Sequence, residues 1–477
     1  MKRAVIFFLS MVLTMVIMLP VAGQAYSGAL TYQVEINING ERINTQVKPF
    51  IKEGSTLVPL RGVVEKLGGQ VEWVAEDRRV NVNYKDISIS LQIDNNQAMV
   101  NGAAKSLEVA PIIHNDSTMI PVRFVAENMG MWVQWVSEAR LVTITEPVYF
   151  DSLRESTVLG FTTNDYLGDN TPHQSLTKYY EHIDTVATFA YKVDSNGNLS
   201  LTGQPHDKTV EFAASKGIRP LMLVHNLNNG SFDRNISHAI LSDEAKRSRL
   251  INNILVNMSK EKYSGVNIDI ENIYWYDRQG YSTLIKELKE KLTPYGFYTT
   301  VSIPAKTYDS YLMNNWSGAF DYKEIGKYAD RILLMTYDEH YSGGNAGPVA
   351  SLPWVEGVIK YAVTVIPPNK LLLGISAYGY DWWDGGSKTV KFNSANSLIS
   401  SVNAVVQWED NMQVPYFKYY KNGTYHEVWY ENLQSLSAKL DLVKKYSLGG
   451  IGIWKLGYDD ESFWSTIREK IMNIPGF

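Results

Sequence analysis

The chain has 477 residues, a formal charge of -5 and an apolar fraction of 45%, values of a globular protein long enough for more than one core. With 45 basic against 50 acidic residues there is no basic field for a nucleic acid, and such a partner is not expected. Cysteine is absent and only eight histidines are scattered along the chain, so neither a disulfide framework nor a metal site is expected, and no cofactor is implied.

The N-terminus reads Met1-Lys2-Arg3, an apolar run, then Gly23-Gln24-Ala25 with small residues at the -3 and -1 positions of a cleavage site. That order is the pattern of a secretory signal peptide over 1–25, leaving a secreted mature chain from Tyr26. The competing reading is a membrane anchor, because the stretch from Ala4 to Val21 approaches the roughly 18 residues that span a bilayer. Pro20 and the small-residue site favour cleavage.

A repeat follows. STLVPLRGVVEKLGGQVEWVAEDRRVNV (55–82) realigns with STMIPVRFVAENMGMWVQWVSEARLVTI (117–144) at an offset of 62, which superposes Pro59 on Pro121, Arg61 on Arg123, Gly68 on Gly130 and Trp73 on Trp135. One supersecondary unit of strand, short helix and half-buried strand is therefore expected twice. The pattern closely resembles the copper amine oxidase N-terminal-like domain, an α+β module, assigned to 26–146; its sole histidine, His114, gives a metal no ligand set. Attachment to a cell wall through this domain is a role the resemblance leaves open.

After a linker at 147–156 the pattern changes to β-branched strands alternating with helices. Eight strands are predicted, at 158–163, 185–193, 219–226, 265–271, 298–304, 331–338, 371–378 and 449–455, with helices such as 243–263 behind Ser242 as N-cap and 281–292 ended by Pro294. Eight βα units over 157–477 predict an α/β TIM (β/α)8 barrel, with its chemistry at the C-terminal strand ends. The long gap between the seventh and eighth strands predicts an inserted α+β lobe at 380–432.

The fourth strand, Gly265-Val266-Asn267-Ile268-Asp269-Ile270-Glu271, alternates with period two, so Asn267, Asp269 and Glu271 share one face and point into the barrel. Inward carboxylates so close together are costly unless bonded or used, because each raises the pKa of the other. This strand resembles the D-G-x-D-x-D-x-E signature of glycoside hydrolase family 18, the chitinase-like hydrolases. Met335-Thr336-Tyr337-Asp338 resembles the family's M-x-Y-D on the sixth strand, and Trp454 its floor tryptophan on the eighth. Ser264 and Asn267 replace the first two acids of the signature, and the third strand ends Val224-His225-Asn226 rather than S-x-G-G. These departures resemble the branch of spore cortex-lytic N-acetylglucosaminidases.

The resemblance implies a retaining, substrate-assisted hydrolase of an N-acetylglucosamine-containing polysaccharide, most simply peptidoglycan, with a chitinase or a non-catalytic carbohydrate-binding protein as alternatives. By the same resemblance Glu271 is the proton donor, Asp269 holds the substrate's acetamido N–H, and Tyr337 donates to the acetamido oxygen. Asp338, Asn267 and Trp454 complete the site, and Asn267, unable to share a proton, should leave Asp269 readily ionised. Tyr378, Asp381 and Trp382 follow the seventh strand where they could line a subsite, and Trp275, Tyr276, Trp316 and Trp383 are candidate stacking platforms. His225 and His340 also lie near strand ends, where a lone histidine is more often structural than catalytic.

Overall fold

The computed structural model describes residues 34–39, 41–136, 140–145, 157–163, 170–310 and 312–472. The segment read as a signal peptide and the linker at 147–156 lie outside the described residues.

Eight parallel strands form the larger unit: β1 (Thr157–Thr162), β2 (Thr185–Val193), β3 (Arg219–His225), β4 (Gly265–Asp269), β5 (Tyr298–Pro304), β6 (Arg331–Met335), β7 (Leu371–Ser376) and β8 (Gly450–Trp454). Each pairs with the next and β8 pairs back with β1, so the sheet closes as the βα alternation predicted. Alternation then sorts the side chains. Leu159, Phe161, Ala187, Phe189, Leu221, Leu223, Leu333 and Leu372 fill the lumen, whereas Val266, Ile268 and Ile270 of the fourth unit pack outward against the helical ring.

Several strands stop short of their predicted ends, for local reasons. β6 ends at Met335 because the Thr336 N–H turns back to Leu334 O at 2.8 Å and its hydroxyl donates to Gly374 O at 2.8 Å. β4 ends at Asp269 because the backbone of Glu271 is held by a side chain of the neighbouring strand, described below. The helix expected behind Ser242 is instead capped by Asp243, whose carboxylate accepts from the Lys246 N–H at 3.1 Å. Ser242 closes the preceding helix, Arg234–Leu241, and its hydroxyl donates to His238 O at 2.6 Å.

Between β7 and β8 the chain builds the expected α+β lobe: a five-stranded antiparallel sheet in the order Gly386–Lys391, Tyr378–Trp383, Thr424–Trp429, Val414–Lys421, Gln407–Glu409, with helix Phe392–Ser401 against it.

The N-terminal module has its own core, with Val58, Val64, Ile89, Leu91, Ile120 and Val125 at its centre. Its two copies meet through antiparallel strands Ser55–Pro59 and Ser117–Pro121, with Pro59 opposite Met119, Val58 opposite Ile120 and Leu57 opposite Pro121. Under the repeat offset the first and last of these pairs exchange, so an approximate twofold axis passes through the Val58/Ile120 pair. Pro59 and Pro121 each precede a seven-residue helix at φ -63 and -60, and Gly68 and Gly130 take the left-handed φ of +86 and +82 that turns each helix into its strand. In the strand expected to be half-buried, Trp73 is 41% exposed, whereas its counterpart Trp135 packs against the module core. Separate cores for module and barrel give an expected outcome: a chain of residues 151–477 retains a cooperative thermal transition and the far-ultraviolet dichroism of an α/β protein. Loss of that transition would show that the barrel depends on the module.

Candidate active site

On β4 the inward residues separate into two environments. Asn267 lies fully buried in the lumen, donating from Nδ2 to Thr300 Oγ1 at 2.8 Å and accepting at Oδ1 from the Ser302 hydroxyl at 3.1 Å. Both ends of its amide are committed to β5, so its expected place among substrate-binding groups is corrected: it ties two strands beneath the site. Asp269, one pleat higher and 5% exposed, has an Oδ1 that no donor of the described residues reaches. Burial pushes its carboxyl up to about 7, contrary to the easy ionisation expected for it. Glu271 is 8% exposed, and its carboxyl is held well above the usual range by burial and then by the charges of Asp269 and Asp338.

The backbone of Glu271 is fixed by a residue whose role the sequence reading missed. The fully buried Asn226 accepts from the Glu271 N–H at Oδ1 (2.9 Å) and donates from Nδ2 to the Glu271 carbonyl (2.8 Å). The same Nδ2 lies 2.8 Å from Ser237 Oγ and 3.1 Å from Asp233 O, so the amide is itself held by the segment that follows β3. An Asn at the end of one barrel strand, one strand away from an acid, was the available signal.

Beyond β6, Tyr337 is half-buried, and a Cβ on Gly374 would lie 2.9 Å from its ring, so a glycine there leaves room for the phenol. Its hydroxyl is pushed far above the ordinary tyrosine range by burial and by the charges of Asp269, Glu271 and Asp338, and stays protonated as a donor. Asp338 follows at φ 58 and faces the cleft, where its Oδ1 accepts from Tyr378 Oη at 2.7 Å and Tyr380 Oη at 3.0 Å. Tyr378, Tyr380 and Trp382 occupy alternate positions of one lobe strand, so they share a face; with Tyr337 they form a row with centroid spacings of 6.4, 5.4 and 5.3 Å. Asp381 takes the opposite face. It is wholly buried in the lobe, accepting from Tyr419 Oη at 2.6 Å, with His426 Nδ1 at 2.8 Å, so its expected place at the cleft mouth is corrected by the strand's own alternation.

Trp454 is half-buried at the end of β8 over the lumen, 5.6 Å from the Phe161 ring and 6.0 Å from that of Phe189. Its indole thus packs on the hydrophobic plug of the lumen. His225 stacks on Phe189 at 4.0 Å, accepts from the Leu227 N–H at Nδ1 (3.0 Å) and meets Thr202 Oγ1 at Nε2 (2.9 Å). Burial pushes it down to about 3, so it is a neutral structural group. His340 likewise donates to Pro348 O at 3.0 Å. Tyr276 and Trp316 are exposed beyond β4 and β5, whereas Trp382 is 6% exposed and directs its indole N–H to Tyr341 O at 3.4 Å.

Residues 166–459 match the model of glycosyl hydrolases family 18, and residues 37–144 that of the copper amine oxidase N-terminal domain. The chain belongs to glycoside hydrolase family 18. It is 33% identical over 342 residues to an uncharacterized glycosylase, YvbX, of Bacillus subtilis (strain 168), covering 70% of this chain and 98% of that protein. Among solved structures, the chitinase of Chromobacterium violaceum ATCC 12472 superposes with a TM-score of 0.63 at 29% identity over 67% of this chain and all of that one. The Bacillus cereus spore cortex-lytic enzyme SleL superposes with a TM-score of 0.63 at 26% identity over 67% of this chain and 75% of that one. The chain is thus a glycoside hydrolase, and its acid pair lies where family members of this barrel keep their chemistry, at the C-terminal strand ends.

Replacing Asn226 by Ala leaves a buried N–H and a buried carbonyl of Glu271 without partners, at about 1–3 kcal/mol each. The expected result is a loss of about 2–6 kcal/mol in denaturant-measured stability. A change within experimental error would mean that Glu271 is held elsewhere.

Proposed function

We propose that the chain is a retaining, substrate-assisted β-N-acetylglucosaminidase of peptidoglycan, exported across the membrane and held at a wall or spore surface through its N-terminal module. The observation that carries the mechanism is Asp269 Oδ1: a buried, unpartnered acceptor two residues before a buried acid, opposite a tyrosine kept as a donor. An acetamido group supplies what both need, its N–H to Asp269 and its carbonyl oxygen to Tyr337. With the acetamido oxygen so held, it attacks C1 as Glu271 protonates the glycosidic oxygen, giving an oxazolinium. Glu271 then takes a proton from the incoming water. Asp338, the remaining acid of the cleft, is engaged by Tyr378 and Tyr380 and raises the Glu271 carboxyl by its charge. Trp454 supports the ring from below.

Similarity to the cortex-lytic enzyme supports peptidoglycan as the polymer, and similarity to the Chromobacterium chitinase supports chitin as the second reading, since both substrates carry the 2-acetamido group. Mass spectrometry of products from cortex peptidoglycan, vegetative peptidoglycan and chitin oligomers, side by side, separates them. Glu271→Gln should lower turnover on the best of these by at least ~10²-fold with little change in melting temperature. Removing the acetyl group from the sugar to be cleaved should stop hydrolysis in the wild type; equal rates on acetylated and deacetylated chains would instead require a carboxylate nucleophile.

The charge on Asp338 raises the Glu271 carboxyl, so Asp338→Asn should lower it. Activity requires protonated Glu271 and is lost as pH climbs through its pKa. The alkaline limb of kcat/KM against pH should therefore move to lower pH in Asp338→Asn, and an unmoved limb would separate the two groups.

A further inference from the structure

The lobe holds a second recess, of about 520 Å³, apart from the acid pair. Its walls are the 343–346 loop, the 384–386 turn of the lobe hairpin, Trp382, Trp383, Tyr425 and Glu427. Trp382 closes the aromatic row that begins at Tyr337, so the row leads from the reacting centre to this recess.

The aromatic walls are held in place. Trp383 lies against Gly386, where a Cβ would come within 2.9 Å of its ring, and against His426 at 5.4 Å, which is itself anchored on Asp381. Tyr425 is 41% exposed and its hydroxyl donates to Glu427 Oε2 at 3.4 Å, while Glu427 Oε1 accepts from Trp429 Nε1 at 2.8 Å. Lys418, 3.5 Å from Glu427 Oε2, offsets that charge, and the exposed Asp384 at the hairpin turn supplies the negative charge of the mouth. Rigid aromatic faces beside a carboxylate are the elements that bind an ammonium group.

The span from Tyr378 to Trp382, four residues of extended strand, is about 13 Å. A lactyl group followed by three amino acids reaches about 13–14 Å when extended. We propose that the recess binds the free ammonium of the diamino acid in the peptide hung from the sugar next to the cleaved bond, so that the lobe selects peptide-bearing over bare glycan. This rests on the peptidoglycan reading above, but not on turnover, because a free muramyl peptide has no glycosidic bond to cleave.

Calorimetric titration with an N-acetylmuramyl tripeptide ending in a diamino acid, against the same peptide N-acetylated at its free amine, tests the assignment on the full chain. The free amine should bind at least tenfold more tightly, Asp384→Asn should abolish that difference, and Trp383→Ala should weaken both peptides. Equal affinity for the two peptides, no binding of either, or an undiminished preference in Asp384→Asn overturns the proposal. Melting temperatures of both variants, and cleavage of peptide-free glycan at the wild-type rate by Asp384→Asn, distinguish loss of the recess from loss of fold. Failure of the wild type to cleave any glycan while the tripeptide still binds would count against the hydrolase mechanism and in favour of the recess.

Discussion

Two carboxyl groups brought to the inner end of one barrel strand are the constraint around which the site is arranged. Asp269 and Glu271 are both nearly excluded from water, and each ionised form disfavours the other. A buried charge of this kind persists only where the surrounding fold is stable enough to carry it. What the neighbouring strand supplies is position: the Asn226 side chain holds the N–H and carbonyl of Glu271 and leaves the carboxyls to the cleft. Replacing that strap by a bond to the carboxylates would stabilise the ground state and remove the acid from use.

How much could be read in advance follows from which physical rule decided each element. Period-two alternation placed Asn267, Asp269 and Glu271 on the inner face and Val266, Ile268 and Ile270 on the outer one, since a strand buried on both faces leaves no other arrangement. The lobe followed from the length of the gap between β7 and β8. Asp381 was misplaced because the residues after the seventh strand were read by their position at its end and not by their alternation; once the segment is a strand, Tyr378, Tyr380 and Trp382 take one face and Asp381 must take the other. Asn226, Thr300 and Ser302 were invisible as a set because their partners lie 33 to 45 residues away, on neighbouring strands. The cap at Asp243 instead of Ser242 is a shift of one residue, decided by which oxygen reaches the first free N–H groups.

The module shows the reverse case, in which a repeat is legible to the residue while the environments of its copies differ. Pro59 and Pro121 start equivalent helices, and Arg61 and Arg123 each meet a glutamate four residues on, at 3.1 and 2.8 Å. The symmetry is local. Trp73 stands out to solvent in one copy, whereas Arg123 also donates to Val133 O in the other at 3.1 Å and Trp135 is packed. A duplicated pattern reports a duplicated backbone, and burial is settled afterwards by what each copy lies against.

The substitution at Asn267 bears on how the acid pair works. The family signature has an acid at this position, immediately beneath the one corresponding to Asp269, and two stacked acids can exchange a proton as the reaction proceeds. An amide with Nδ2 given to Thr300 and Oδ1 taken by Ser302 has no proton to offer and no freedom to turn. Asn267 therefore adds no titratable charge beneath Asp269. The state of Asp269 is left to burial and to Glu271 above it, and in the proposed mechanism an acetamido N–H arriving at its unpartnered Oδ1 would favour its ionised form. In that mechanism charge separation is coupled to the arrival of the group that needs it, in a cleft where burial holds both carboxyls above their ordinary values.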